Sequence, residues 1–145
     1  MLCATIDDPV ESGGGVVDGL GLLGASVRFA EEKVLGRPAG TWRGLPVEGY
    51  EIHHGVVSDD GSFPGGCTRG AAWGTIWHGT LEGDAFRRAW LGEVAEAAGS
   101  SWRPRPSAPG FAQRREAMID ALADAVSEHL DVAALLDLAG RTMPR

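Results

Sequence analysis

The most informative residue for chemistry in this sequence is His78, which ends an apolar run and is followed by Gly79. The run, residues 71–77, is typical of a strand covered on both faces in an α/β sheet. Open α/β sheets bind ligands at the carboxyl ends of such strands, so substrate would lie beside His78. An imidazole at that place can accept a proton and return it near neutral pH. The alternative is a strand-end histidine whose ring is bonded to a loop carbonyl.

A second group of candidate residues lies on a strand predicted over residues 47–57. Alternation along a strand places Glu51 and His53 on one face, close enough to interact, and His54 on the other. Glu51 and His53 either line the same cleft as His78 or cover a partly exposed sheet face. Because the two adjacent histidines point to opposite faces, they are poorly placed to ligate one ion, and we assign no metal site.

The two cysteines, Cys3 and Cys67, are candidate nucleophiles by residue type alone. An activated cysteine needs a histidine partner and a strand-to-helix elbow whose N–H groups bind the oxyanion. Neither cysteine has such flanking residues, so we expect both to be small apolar or loop residues with free thiols. Residues 19–24 spell G-x-G-x-x-G, but a strand-like segment follows them, which favours a glycine-rich turn over a dinucleotide site.

The elements that position these residues follow from hydrophobic spacing, with extended segments first and helices last. Asp84 is the predicted N-cap of a helix that Gly99 ends. Proline-containing residues 100–110 connect it to a helix over 111–130 and to a shorter helix capped by Asp131. This order is typical of the later part of a doubly wound α/β domain.

Composition argues against several functional classes. The 145 residues carry 20 acidic and 13 basic side chains, and the net charge of −7 argues against nucleic-acid binding through phosphate neutralisation. No stretch approaches the ~20 apolar residues of a membrane span, and no signal-peptide pattern is present, so we expect a cytoplasmic protein. Glycine is the outlier: its 22 residues are about twice the usual share.

Three strings, in order and at characteristic spacing, resemble the glutamine amidotransferase domain of cobyric acid synthases. They are Gly19-Leu20-Gly21-Leu22-Leu23, Gly49-Tyr50-Glu51-Ile52-His53-His54-Gly55 and Trp73-Gly74-Thr75-Ile76-Trp77-His78-Gly79, and residues 81–88 extend the likeness. The resemblance implies a class I, triad-type amidotransferase with a flavodoxin-like, doubly wound α/β fold. Residues 1–100 would hold the later strands of that domain, and residues 101–145 would form a connector and C-terminal helices packed on them.

The same resemblance implies the chemistry of the site. A cysteine thiolate attacks the side-chain amide of glutamine, and His78 matches the catalytic histidine that deprotonates the thiol and protonates the leaving ammonia. Glu51, His53 and His54 are the residues expected to bind substrate. Glu82 is the candidate third triad member, because the family's usual position for it is Thr80 here.

The partners implied by the resemblance are glutamine and a separate synthetase domain. That domain would use ATP and Mg²⁺ to amidate adenosylcobyrinic acid a,c-diamide to cobyric acid, a late step of cobalamin biosynthesis. The corrinoid substrate would bind there, and no cofactor is expected in this chain.

The family's nucleophile lies in a Gly-x-Cys-Gly-Gly-x-Gln string just before a Met-Leu pair that Met1-Leu2 resembles. We therefore expect this chain to lack the nucleophile and its elbow, and to be inactive alone. One alternative is a non-catalytic module that docks on a synthetase partner. The other is a related amidotransferase, either cobyrinate diamide synthase or the amidase subunit that acts on a cell-wall lipid precursor.

Overall fold

A computed structural model of the chain describes residues 1–142. The chain divides into two compact units, Met1–Pro106 and Ser107–Arg145. The packing of residues 101–145 on residues 1–100 stays a prediction. Residues 143–145 of that segment lie outside the described part of the chain. No helix within the described residues is long and apolar enough to cross a membrane.

The first unit contains all eight strands that the described residues form. In chain order they are β1 (Thr5–Asp7), β2 (Val16–Asp18), β3 (Ser26–Gly36), β4 (Ala39–Trp42), β5 (Leu45–Glu48), β6 (Glu51–Ser58), β7 (Gly66–Arg69) and β8 (Ala72–Thr75). A four-stranded sheet has the order β2-β1-β3-β6, and only its β1–β3 pair is parallel. The pairs β4–β5 and β7–β8 form two antiparallel hairpins. This mixed α/β architecture confirms the coarse fold class.

The helices follow the strands, as the sequence predicts. After a 3₁₀ turn at Thr80–Glu82 come α1 (Asp84–Ala97), α2 (Phe111–His129) and α3 (Val132–Thr142). The N-cap of α1 is Gly83, so the prediction of Asp84 as the cap is wrong by one residue. The Asp84 carboxylate instead pairs with Arg87 at 2.5 Å, one turn along the helix. Gly99, with φ +65°, follows the last turn and allows the chain to leave the helix.

The prediction of a strand covered on both faces over residues 71–77 is wrong. Only Ala72–Thr75, β8, is a strand, and it pairs with β7 alone. Its residues are half-buried or exposed. The run is apolar because it contains Trp73 and Trp77, whose indole rings pack against neighbouring elements of the first unit. The Trp73 ring meets the Trp90 ring of α1 edge-on, with centroids 6.0 Å apart.

The single strand predicted over residues 47–57 is broken at Gly49 and Tyr50. Within β6 the predicted alternation is confirmed, because Ile52 and Val56 each expose 51% of their surface while Gly55 is buried. One face of β6 therefore meets solvent, as is common for antiparallel strands.

Two buried clusters form the core of the first unit. One consists of Trp42, Val47, Phe63 and Phe86, and the other of Cys3, Leu23, Ala25 and Cys67. In the first cluster the Trp42 and Phe86 rings meet edge-on with centroids 5.5 Å apart. Because Phe86 lies on α1 and Trp42 on β4, this contact holds the helix against the β4–β5 hairpin.

The second unit contains α2 and α3. Four apolar residues recur at every fourth position along α2 and its C-cap, and each exposes between 45% and 59% of its surface. They are Met118, Leu122, Val126 and Leu130. The Asp131 carboxylate accepts the backbone N–H of Ala134 at 3.0 Å, which confirms Asp131 as a helix cap.

Replacing Phe86 with alanine tests the core of the first unit. Phe86 exposes 1% of its surface, so Phe86→Ala leaves a cavity and should cost about 3–5 kcal/mol of unfolding free energy. Urea unfolding followed by tryptophan fluorescence measures this, because all five tryptophans lie within residues 1–106. Leu35→Ala, at a side chain that is 69% exposed, is the control and should cost less than about 1 kcal/mol. Equal losses for both variants would contradict the assignment of Phe86 to the core.

Candidate functional site

His78 is held by a backbone bridge to Tyr50, the residue just before β6. The Tyr50 N–H donates to the His78 carbonyl at 2.9 Å, and the His78 N–H donates to the Tyr50 carbonyl at 2.8 Å. The Tyr50 ring also stacks on the imidazole, with centroids 5.0 Å apart and planes 19° apart. Both side chains are exposed, so the imidazole is fixed in position yet open to solvent.

Trp77, the residue before His78, occupies space that three glycines leave open. A Cβ at Gly49 would lie 2.8 Å from the His78 carbonyl oxygen and 3.0 Å from the Trp77 Cβ. A Cβ at Gly65 would overlap the indole ring, and one at Gly40 would come within 3.3 Å of it. Side chains at these positions would push the histidine-bearing segment away from its partner strand.

Gly79, the residue after His78, has φ +74°, a backbone conformation that favours glycine. Its carbonyl accepts the N–H of Glu82, which closes the 3₁₀ turn. A Cβ at Gly79 would lie 3.3 Å from Glu82 Oε1 and 3.3 Å from Tyr50 Cε1. The Glu82 carboxylate and the Tyr50 ring therefore flank the residue next to His78. The role of Glu82 as third triad member stays a prediction.

Glu51 and His53 lie together on the more buried face of β6, as predicted. Glu51 Oε1 is 3.5 Å from His53 Nε2, and the side chains expose 19% and 18% of their surfaces. Neither ring nitrogen of His53 has a hydrogen-bond partner among the described residues, and both are buried. An unsatisfied buried polar group costs about 1–3 kcal/mol, so burying these nitrogens without partners is unfavourable. Substrate binding by Glu51 and His53 stays a prediction.

His54 points to the other face of β6 and does not join His53. Its Nδ1 is 3.1 Å from the carbonyl oxygen of Ala30. Ala30 begins a bulge in β3, where the pairing shifts between Phe29 and Val34. The His54 ring therefore bridges the two strands where their regular pairing is interrupted. A substrate contact for His54 stays a prediction.

Both cysteines are buried, at 4% exposure each, in one apolar cluster. They line a cavity of about 150 Å³. Burial raises the pKa of the Cys67 thiol, and the nearby carboxylates of Asp59 and Asp60 raise it further. A raised pKa disfavours the thiolate, so Cys67 is poorly suited to act as a nucleophile. This agrees with the interpretation of both cysteines as small apolar residues.

A larger cavity, of about 710 Å³, is lined by none of the predicted site residues. Arg43 and Glu93, on the β4–β5 turn and α1, form an ion pair at its wall. The Arg43 guanidinium also lies over the Trp42 ring, 4.9 Å from its centroid. Neither His78 nor Glu51 lines this cavity, so its volume does not mark the predicted chemistry.

Sequence reasoning missed Tyr50 as a member of the site. The residue lies in the string that carries Glu51 and His53, directly after a glycine. An aromatic residue directly after Gly49 could have indicated a ring near the site. The contact of Tyr50 with His78, however, joins residues far apart in the chain. Periodicity within one strand does not report such a contact.

The sequence profile of the CobB/CobQ-like glutamine amidotransferase domain matches residues 1–86, which include His78 and all eight strands. The chain belongs to this family. Its sequence is 52% identical over 144 residues to a cobyric acid synthase from Cutibacterium acnes, covering 95% of this chain and 30% of that protein. It is 53% identical over 137 residues to a cobyric acid synthase from Streptomyces coelicolor, covering 93% of this chain and 27% of that protein.

A third cobyric acid synthase, from Mycolicibacterium paratuberculosis, is 48% identical over 153 aligned residues, covering 100% of this chain and 29% of that protein. The predicted family resemblance is thus confirmed. The chain spans less than a third of the length of these curated relatives.

The ionisation of Cys67 tests the electrostatics of the buried cluster. In a Cys3→Ser background, Cys67 should ionise at a higher pH than an exposed cysteine, because burial and two carboxylates oppose the thiolate. Asp59→Asn removes one of those charges and should lower the pH at which the thiolate forms. Thiolate absorbance at about 240 nm against pH gives the midpoint. A midpoint unchanged by Asp59→Asn would contradict the assigned electrostatic cause.

Proposed function

We propose that this chain is part of the glutamine amidotransferase domain of a cobyric acid synthase, acting in the cytoplasm in cobalamin biosynthesis. The observation that carries the proposal is the placement of His78, which lies in the family-matched residues, exposed and fixed on both sides. The family match and the cobyric acid synthase relatives support the reaction class. The relatives, at about 50% identity, support this enzyme over cobyrinate diamide synthase and the cell-wall lipid amidase subunit.

In the proposed reaction a cysteine thiolate attacks the side-chain carbonyl carbon of glutamine. His78 first takes the proton from the thiol and then gives it to the departing nitrogen, so the C–N bond breaks and ammonia leaves. Water hydrolyses the remaining thioester to glutamate and restores the thiol. An exposed imidazole at a fixed position suits both transfers, because it reaches the thiol and the leaving group from one place.

Neither Cys3 nor Cys67 serves as that nucleophile in this proposal. Both are buried, and the Cys67 thiol has a raised pKa. A catalytic cysteine requires the opposite environment, with access to substrate and a stabilised thiolate. We therefore propose that the 145-residue chain alone releases no ammonia from glutamine.

The Glu51–His53 pair is the proposed contact for polar groups of glutamine. Its carboxylate can accept hydrogen bonds, and neither ring nitrogen of His53 has a hydrogen-bond partner among the described residues. Because both nitrogens are buried, glutamine would reach them only by displacing the atoms that cover them. His54 points to the other face of β6, so its proposed substrate contact, through Nε2, would be separate from that of the pair. Glu82 would orient His78 from beside Gly79.

The ammonia would pass to a synthetase domain that binds ATP, Mg²⁺ and the corrinoid. That domain would amidate adenosylcobyrinic acid a,c-diamide to cobyric acid. We further propose that the four-stranded sheet belongs to a larger flavodoxin-like, doubly wound sheet in the complete amidotransferase domain. The parallel β1–β3 pair supports this, since such folds are built on parallel pairs.

A chimera tests the role of His78. This chain replaces the matching segment of the Streptomyces coelicolor cobyric acid synthase, and amidation is measured with glutamine or with ammonium as the nitrogen source. His78→Ala should lower glutamine-dependent amidation by about 10²–10⁴-fold, because it removes the general acid–base group. Ammonium-dependent amidation should be unchanged, because free ammonium bypasses the glutamine site, and this shows that the synthetase domain of the variant is intact.

His129→Ala is the matched control, because His129 is an exposed histidine on α2 and should leave both activities unchanged. Cys3→Ser and Cys67→Ser should each retain glutamine-dependent activity. Glutamine-dependent activity that survives in His78→Ala, or disappears in a folded Cys3→Ser or Cys67→Ser chimera, would overturn the assigned roles.

A further inference from the structure

We infer that Tyr50 is a positioning residue for His78, fixing the orientation of the imidazole through ring stacking. The inference rests on the proposed function of His78 and adds a residue to that site. It starts from the observation that one residue contacts His78 twice, by backbone and by side chain.

The backbone bridge alone leaves the imidazole free to turn. The two hydrogen bonds between Tyr50 and His78 fix the main chain, but the side-chain torsions χ1 and χ2 of His78 still have several accessible states. Gly79, which follows, has no side chain to restrict them. The imidazole therefore needs a further contact to keep one orientation.

The Tyr50 ring supplies that contact. Its centroid is 5.0 Å from the imidazole centroid and its plane is tilted by 19°, a stacked arrangement within the usual range for aromatic pairs. The ring is itself placed by Gly79, because Tyr50 Cε1 and Cδ1 lie 3.3 and 3.4 Å from where a Cβ of Gly79 would be. A side chain at position 79 would compete with the ring for this space.

The stack contributes more to orientation than to stability. Tyr50 exposes 48% of its surface and belongs to neither buried cluster of the first unit. Loss of the ring would therefore remove less buried area than loss of a core aromatic ring such as Phe86, while releasing the rotation of His78. Because proton transfer requires a specific ring direction, this release should slow the chemical steps more than it weakens glutamine binding.

The stack itself is measured by NMR on the 145-residue chain. Tyr50 is the only tyrosine and there are four histidines, so contacts between the tyrosine ring and an imidazole are readily assigned. We expect nuclear Overhauser contacts from the Tyr50 ring to the His78 imidazole. Tyr50→Phe should preserve the stacked geometry, and Tyr50→Leu should shift the His78 imidazole resonances. Absence of the Tyr50–His78 contacts in the unmodified chain would overturn the inference.

The kinetic consequence is measured in the chimera. Tyr50→Leu should lower kcat for glutamine-dependent ammonia release by roughly 10-fold, with the KM for glutamine changed by less than about 2-fold. Tyr50→Phe should retain the activity, because it keeps the ring. Val56→Ala, at another half-exposed residue of the same region on β6, is the matched control and should change neither constant.

The outcomes separate this inference from the proposed function. If His78→Ala retains glutamine-dependent activity, the proposed function fails, whatever the NMR shows of the stack. If His78→Ala is inactive but Tyr50→Leu keeps full kcat, only the positioning role fails. A rise in KM with unchanged kcat in Tyr50→Leu would also overturn it, since that pattern indicates a binding contact.

Discussion

The two backbone hydrogen bonds between Tyr50 and His78 are the contact on which the candidate site depends. They join the four-stranded sheet, through the start of β6, to the segment that follows the β7–β8 hairpin. No strand pairing within the described residues connects these two sheets otherwise. The bridge therefore brings a histidine from one sheet next to the strand that carries Glu51 and His53. The bridge forms only because the residues around it allow the segments of Tyr50 and His78 to approach each other very closely.

That close approach explains part of the glycine excess. Gly49 lies against the His78 carbonyl, and Gly65 lies against the Trp77 indole, so neither position has room for a Cβ. These glycines serve packing, and the large indole fills the space they leave. Gly79 serves a different purpose, because its positive φ turns the chain directly after the histidine. Elsewhere, as at Gly13 and Gly61, open space surrounds the residue and positive φ accounts for the glycine.

Local periodicity predicted the features that depend on neighbours in the chain. The helices after residue 84 and the pairing of Glu51 with His53 on one face of β6 follow from repeats of 3.6 and 2 residues. The errors concern contacts across long separations. Residues 71–77 looked like a buried central strand because the indoles of Trp73 and Trp77 are apolar, whereas those rings pack against α1 and against glycines. The contact of Tyr50 with His78 was missed for the same reason.

The cysteines of this chain and the proposed site residues lie in different electrostatic environments. Cys67 lies in an apolar cluster near two carboxylates, an environment that keeps its thiol protonated. His78 lies on the exposed surface, where an imidazole can exchange protons with a group that approaches from outside. Between these extremes, the Glu51–His53 pair leaves the buried ring nitrogens of His53 without hydrogen-bond partners among the described residues, which costs free energy. The residues proposed for proton transfer and for glutamine binding therefore lie on two segments that the Tyr50–His78 hydrogen bonds join, while Cys3 and Cys67 belong to the core.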